Sequence, residues 1–361
     1  MDRPRKKLSL SRTRTANINN AKRYRMSRAK RSVTAINKKE EALRKQLKSF
    51  TSIDPVKSVF NLALPILGYI ISIILLIYLE KNGHYTLLVP TLVFSALLVV
   101  KLFTVQHDAG HGSFSKSKVI NLWVGRLCSV FTFIPYESWR REHSAHHKHF
   151  AKIDQRTLGD ILILSTDEYR RLGIVNRLLY RSLRNPIFFI VVAPLGYFLV
   201  RSRIPIHCDR AAMRSVIAHN FVLTGLYGSF SYFLGWQYLI GVFLPILYLA
   251  GLIGVLTFLM EHQYKNGKWF ESDDWSFYRA CFESCSCFQL PRVLEWFMGN
   301  VGYHHVHHMN PGIPSYRIRE CYDATPILQV VPRLQLGDVM TSLKSGLWSK
   351  ERNRIVSFSE L

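Results

Sequence analysis

Four stretches of this chain carry no Asp, Glu, Lys or Arg, and they limit its fold more than any other feature. They are Ser58–Leu79, Thr86–Val100, Ser215–Gly235 and Trp236–Met260. As helices, runs near 20 apolar residues are long enough to cross a hydrocarbon layer of roughly 30 Å. The second continues to Gln106, with Lys101 near its end, where a lysine stem can carry its charge to the interface. The expected fold is an all-α integral membrane protein, with four transmembrane helices arranged as two hairpins. Asn82-Gly83 turns the first hairpin.

A fifth apolar run, Pro186–Val200, is shorter and carries Pro186 and Pro194. It is expected to lie in the interface or pack on the bundle. Parity agrees, because four spans leave 1–56, 107–214 and 262–361 on one side. Charge sets which side. Residues 1–50 hold 17 Lys and Arg against Asp2, Glu40 and Glu41, within a total net charge of +24. The short connection 80–85 holds only Lys81 against Glu80. Basic segments face the cytoplasm, so both termini are expected there. The basic tail reads as an anionic-lipid or topology signal; nucleic acid is the least favoured partner. An organelle-targeting role stays open, and no secretory h-region is present.

The expected organisation is a flexible basic tail over 1–50, a membrane domain over 51–330 and a C-terminal cytoplasmic tail over 331–361. Val119–Pro135 reads as an interfacial helix, Ser138–His149 as a helix and Thr166–Leu183 as a basic helix. The six cysteines, Cys128, Cys208, Cys281, Cys285, Cys287 and Cys321, are expected as reduced thiols. The CxxxCxC spacing of Cys281, Cys285 and Cys287 matches no common zinc or iron–sulfur pattern and reads as a partly buried, thiol-rich helix.

Three histidine clusters punctuate this framework: His107-Asp-Ala-Gly-His111, His143-Ser-Ala-His146-His147 and His304-His305-Val-His307-His308. Residues three or four apart share a helix face, so each cluster presents two or three imidazoles in one direction. Eight such histidines exceed one mononuclear site and ask for two metal ions. Nearby carboxylates are few: Asp108, Glu142, Asp154, Asp160 and Glu261. A histidine-rich, carboxylate-poor donor set suits zinc, copper, iron or nickel. Two hydrolytic zinc ions fit that donor set. A site where apolar helices meet the cytosol suits a lipid substrate instead, and an unactivated alkyl chain calls for oxidation by O2 at iron.

The flanking residues carry a resemblance. They include Gln106–Phe114, Pro135–His143, Asp154 with Gly159-Asp160, Tyr180–Pro186, Glu261–Tyr264, Leu290–His308 and Asn310–Tyr316. With these, the chain resembles the membrane fatty acid desaturase family over about 58–330, and most closely its bacterial-type acyl-lipid or acyl-CoA members. The resemblance implies two irons (Fe2+/Fe3+), O2 as co-substrate and a His-rich di-iron cap on the cytoplasmic side. It implies the ligands His107, His111, His143, His146, His147, His304, His307 and His308, with His262 as a ninth. Asp154, Asp160 and Asn300 are candidates for orienting those ligands. Ala109 and Lys152-Ile153 depart from the usual pattern and touch no ligand position.

What the resemblance implies as activity is a cis double bond placed in a lipid-linked or CoA-linked acyl chain. The electron donor would be a separate protein of cytochrome b5 or ferredoxin type. A fatty acyl or alkyl hydroxylase of the same fold is the near alternative; a non-catalytic lipid sensor and a zinc hydrolase are the distant ones. His305, His149, His219, His84 and His207 read as non-ligands. Trp139, Trp269, Trp275 and Trp296 suit interfacial anchors or an acyl channel. Arg140, Arg141, Arg177, Arg181 and Arg184 suit a headgroup, CoA phosphates, an acidic donor or plain topology. Double-bond position, chain length, acyl carrier, donor, resident membrane and oligomeric state are left open.

Overall fold

A computed structural model describes residues 40–206 and 209–361. The tail over 1–39, and His207 and Cys208 with the expectations attached to them, lie outside the described residues. Residues 40–48 form a helix. Residues 50–361 form a compact unit of their own.

The first hairpin begins where the sequence supplies a cap. Asp54 accepts from the N–H groups of Val56 and Lys57, and Pro55 takes the first helical position. Helix α1 then runs Pro55–Lys81, and α2 runs Tyr85–His111 after the Asn82-Gly83 turn. Each holds 27 residues, which makes it about 40 Å long. That exceeds the hydrocarbon thickness, so the last turns stand clear of it. Gly112 ends α2 in the left-handed region, φ 73°, and its N–H returns to the Ala109 carbonyl. This stop leaves His107 and His111 at the exit from the membrane.

Helices α3 (Lys118–Thr132) and α4 (Tyr136–His149) follow and meet at 100°. The basic helix expected over Thr166–Leu183 is two pieces, a short Thr166–Arg171 and α5 (Ile174–Leu183). Helix α6 (Pro186–Leu195) runs on through a π turn, Gly196–Val200, and a 3-10 turn, Arg201–Arg203. Helix α7 (Arg210–Leu234) turns at Gly235 into the apolar stretch Trp236–His262, which ends in α8 (Leu244–His262).

Four stretches are long and apolar enough to cross a bilayer: Pro55–Lys81, Tyr85–His111, Pro186–Arg203 and Trp236–His262. The number matches the sequence expectation, but one member differs. Pro186–Arg203 stands in the set where α7 was expected, because Arg210, Arg214, His219 and Asn220 dilute the apolar character of α7. Side-chain contacts show the path of each. Arg184, just before α6, donates to Gln263 at the end of α8. Arg201, just after α6, pairs with Glu142 on α4 at 2.8 Å. Both ends of this segment are therefore tied to the same end of the bundle, and it packs on α8. Helix α7 starts at that end, where Ser215 donates to Glu137 of α4, and reaches the Gly235 turn at the other.

Buried Leu76, Ala96, Leu102 and Ile246 pack α1 and α2 against the Trp236–His262 stretch, while Ile74, Val89, Phe221 and Ile240 face outward. An outward apolar face suits hydrocarbon as solvent. Two small sheets depart from the all-α expectation. Strand β1 (Leu164–Ser165) pairs in parallel with β4 (Ser345–Ser349), which pairs antiparallel with β5 (Arg354–Ser357). Strands β2 (Cys287–Phe288) and β3 (Arg333–Leu334) form a parallel pair. Residues 331–361, read from the sequence as a tail, are thus built into the compact unit.

Candidate metal centre

Three helix segments and one helix end bring nine imidazoles together. The last turn of α2 supplies His107 and His111, and α4 supplies His143, His146 and His147. The last residue of α8 is His262, and the short helix α9 (His304–Met309) supplies His304, His307 and His308. They sort into two groups. His107, His111, His143, His147 and His307 form one, and His146, His262, His304 and His308 the other. Within each group one nitrogen per ring lies within 4.8 Å of all the others. Both HxxHH clusters are split. The i and i+4 rings of α4 enter the first group and its i+3 ring the second; in α9 the assignment is reversed.

The spacings fit metal coordination better than hydrogen bonding. His308 Nε2 lies 3.0 Å from that of His304 and 3.3 Å from those of His146 and His262. One ring nitrogen has one proton or one lone pair, so it cannot bond three neighbours. In the first group, His111–His143, His143–His147 and His147–His307 stand at 2.9, 3.1 and 2.9 Å. A metal–nitrogen bond of about 2.1 Å places adjacent ligand atoms about 3.0–3.4 Å apart in octahedral or tetrahedral geometry. Rings of the two groups also touch: His147 stacks on His308 with centroids 4.2 Å apart.

The far sides of the rings are held selectively. His146 Nδ1 donates to Asp160 Oδ1 at 2.6 Å, which leaves Nε2 as the free donor atom. Thr157 holds the other Asp160 oxygen through its N–H and hydroxyl, at 2.7 and 2.9 Å. Burial pushes the Asp160 carboxyl up, but the hydrogen bonds from His146 and Thr157 outweigh it and bring it below the usual range. Gly159 lets this loop close. A Cβ there would stand 2.8 Å from the Glu142 carbonyl and 3.1 Å from His146 Cβ. His304 Nδ1 lies 3.2 Å from Glu261 Oε2, and Cys285 Sγ lies 4.0 Å from His262 Nδ1. Trp139 stacks on His143, and Phe150 covers His308.

The sequence candidates fall out unevenly. Asp160 reaches the cluster. Asp154 is exposed. Asn300, at φ 55°, donates to the Ser315 carbonyl and shapes the turn before α9. His305 turns its Nε2 to the Leu328 carbonyl, His149 pairs with Gln155, and His219 lies near Ser129. Nothing in the sequence places Glu261, Cys285 and Trp139 beside the rings, where the fold brings them. The expected thiol-rich helix is only partly one: Cys281 lies on a helix, whereas Cys285 and Cys287 lie beyond it, and all three are buried. Five imidazoles outside the membrane spans, His143, His147, His304, His307 and His308, are held below their ordinary value by burial and by the neighbouring imidazoles of the cluster. Buried neutral imidazoles are the ligand form.

A cavity of about 590 Å³ runs beneath the cluster, a size typical of ligand sites. Its wall includes His107 and His143 of one group and His304 of the other, with Phe103, Val255 and Phe258 among the apolar residues. A long apolar chain can lie there against both groups at once.

The chain matches the fatty acid desaturase family over residues 84–334. It is 32% identical over 325 residues to the fatty acid desaturase of Bacillus subtilis, covering 89% of this chain and 91% of that one. It is 29% identical to the sn-1 acyl-lipid omega-3 desaturase (ferredoxin) of Synechocystis over 235 residues, 63% of this chain and 64% of that one. It is 25% identical to the sn-1 oleoyl-lipid 12-desaturase of the same organism over 241 residues, 63% and 65% of the two chains. With a family match over most of its length and that Bacillus relative, the chain belongs to the fatty acid desaturase family.

Proposed function

We propose that this chain is a membrane-bound, O2-dependent desaturase that places a double bond in a lipid-linked acyl chain. One observation carries the reading: nine imidazoles gather in groups of five and four, and His107, His143 and His304, drawn from both groups, form part of the wall of an apolar cavity. In this reading the two groups hold two irons. Group one is His107, His111, His143, His147 and His307; group two is His146, His262, His304 and His308. When bound, the pair supplies the oxidising power that O2 gives iron. Overall, two adjacent methylenes lose one hydrogen each, and O2, two donor electrons and two protons complete two waters.

The protein's share of this chemistry is position and exclusion. Asp160 fixes the His146 ring with its Nδ1–H outward, and Glu261 stands at the same edge of His304. Phe103 and Trp139 meet edge to face beside His107, where they narrow the cavity and press the chain toward the cluster. Apolar walls keep water from the reacting carbons. The electron donor is a separate protein. Two relatives, of Synechocystis and Nostoc, carry ferredoxin in their names, which favours that class over cytochrome b5. The basic segments of the sequence support a cytoplasmic side for the cluster and both termini.

The test is metal content together with O2 stoichiometry on the purified chain. The expected result is two irons per chain and one O2 consumed per double bond when reduced ferredoxin is supplied. Two zinc ions per chain with no O2 consumption contradicts the reading.

A further inference from the structure

Arg184 is a buried cation without a counter-ion among the described residues. It caps α5, is 6% exposed, and forms part of the cavity wall. Its side chain makes one hydrogen bond among the described residues, from Nη2 to the neutral Gln263 Oε1 at 2.5 Å, and its Nε has no partner. No carboxylate forms an ion pair with it among the described residues. Arg201, on the same wall, is different, because Glu142 neutralises it at 2.8 Å. A buried charge is costly unless it is paired, so a protein that leaves one on a cavity wall invites an anion from outside.

The surroundings say where that anion comes from. Leu158, Leu162 and Leu183 line the same cavity and are each 52% exposed, so the cavity opens beside Arg184. Ile174, Val175, Leu178, Leu179 and Leu183 leave α5 with a row of apolar side chains facing out. An amphipathic helix of that kind lies in the headgroup layer. Arg184 therefore stands at headgroup depth, at an opening through which an acyl chain can enter sideways.

We infer that Arg184 receives the phosphate of the substrate while its acyl chain occupies the cavity, so that the preferred substrates are phosphate-bearing acyl compounds. This rests on the acyl-chain reading of the cavity and narrows it to a headgroup class. A guanidinium presents planar, paired N–H donors that match phosphate oxygens, which lysine does not. Gln263, which holds Arg184, also donates to the Ile161 carbonyl. It thus joins the anion site to the residues beside His262 and Asp160. Phosphate reaches such a site from a glycerophospholipid or from coenzyme A, and the apolar face of α5 favours the lipid.

The test is binding to the full-length chain in detergent, read by competition in native mass spectrometry. The probes are phosphatidylglycerol, diacylglycerol and acyl-CoA carrying the same acyl chain. The expected result is about tenfold tighter binding of a phosphate-bearing probe than of diacylglycerol, the ratio that about 1.4 kcal/mol provides. Arg184→Gln removes that preference, and Arg184→Lys keeps part of it. A preference for phosphatidylglycerol over acyl-CoA assigns the lipid source, and the reverse assigns coenzyme A; either supports the phosphate site. Equal binding of diacylglycerol and both phosphate probes by the unaltered chain overturns it, and so does a preference that survives in Arg184→Gln. The comparison on the unaltered chain decides even where the variant misfolds. The melting temperature of Arg184→Gln is expected to be unchanged or higher, because the variant loses an unpaired buried charge. A preserved lipid preference with no double bond formed would count against the desaturase reading and leave the anion site standing.

Discussion

Two carboxylates six positions apart, Asp154 and Asp160, followed the second histidine cluster with equal claims on a ligand. The turn at Thr157 separates them by holding Asp160 under His146 and leaving Asp154 at the surface. Asp160→Asn is therefore expected to lower metal affinity or turnover 10- to 100-fold, the range of roughly that order seen for ligand-orienting partners. Asp154→Asn is expected to change either by less than about twofold, within the usual spread of surface substitutions. Metal analysis and turnover on both variants check this, and equal effects contradict it. Acid provides a second check. His143, His147, His304, His307 and His308 stay neutral in the fold, whereas in an unfolded chain they titrate near about 6.5. Below that value the unfolded state binds more protons, so stability is full above it and falls with pH. Melting temperature and retained iron are expected to drop together from pH 7.5 to 5; flat curves over that range contradict the account. At this scale the convergence of the rings was legible, because a 3.6-residue period turns spacing into direction. Their partners were not, since Glu261 and Cys285 meet the rings only through tertiary packing.

Long elements were readable and short ones were not. The apolar runs and the Asn82-Gly83 turn mark α1 and α2 to within a few residues. Strands β1, β2 and β3 are two residues each, too short for any alternation to register. The 331–361 segment carries no run that announces packing, yet Leu347 on β4 is fully buried against Tyr169 and Tyr180. The Tyr180 hydroxyl donates to the Gly346 carbonyl at 2.7 Å. This strand braces the last turns of α5 and, through them, the Arg184 wall of the cavity. Leu347→Ala is expected to cost about 2–5 kcal/mol and to lower the melting temperature of the detergent-solubilised chain. An unchanged melting temperature would mean that the segment is not part of the cooperative unit.

For the whole molecule, parity constrains the topology. All nine rings converge, so an even number of crossings must separate His147 from His304. The candidates between them are Pro186–Arg203, α7 and Trp236–His262. Hydropathy taken over whole helices favours Pro186–Arg203 over α7, because α7 carries the more polar side chains. The contacts of Arg184 and Arg201 tether Pro186–Arg203 to the cluster side at both ends. A membrane-impermeant thiol reagent is expected to label Lys148→Cys, Ser182→Cys and Arg210→Cys from one side of the membrane and Asn82→Cys from the other. Labelling of Ser182→Cys and Arg210→Cys from opposite sides would make Pro186–Arg203 a span. The central claim is that this arrangement desaturates acyl chains, and its most direct test is gas chromatography–mass spectrometry of lipids, with double-bond location, from cells expressing the chain. A double His307→Ala, His308→Ala variant removes one ring from each group and serves as the control. The account predicts a new cis-unsaturated acid that is absent from the control, at one defined carbon pair. A new hydroxy acid in its place, or no new acid from iron-loaded protein with a competent donor, would contradict it.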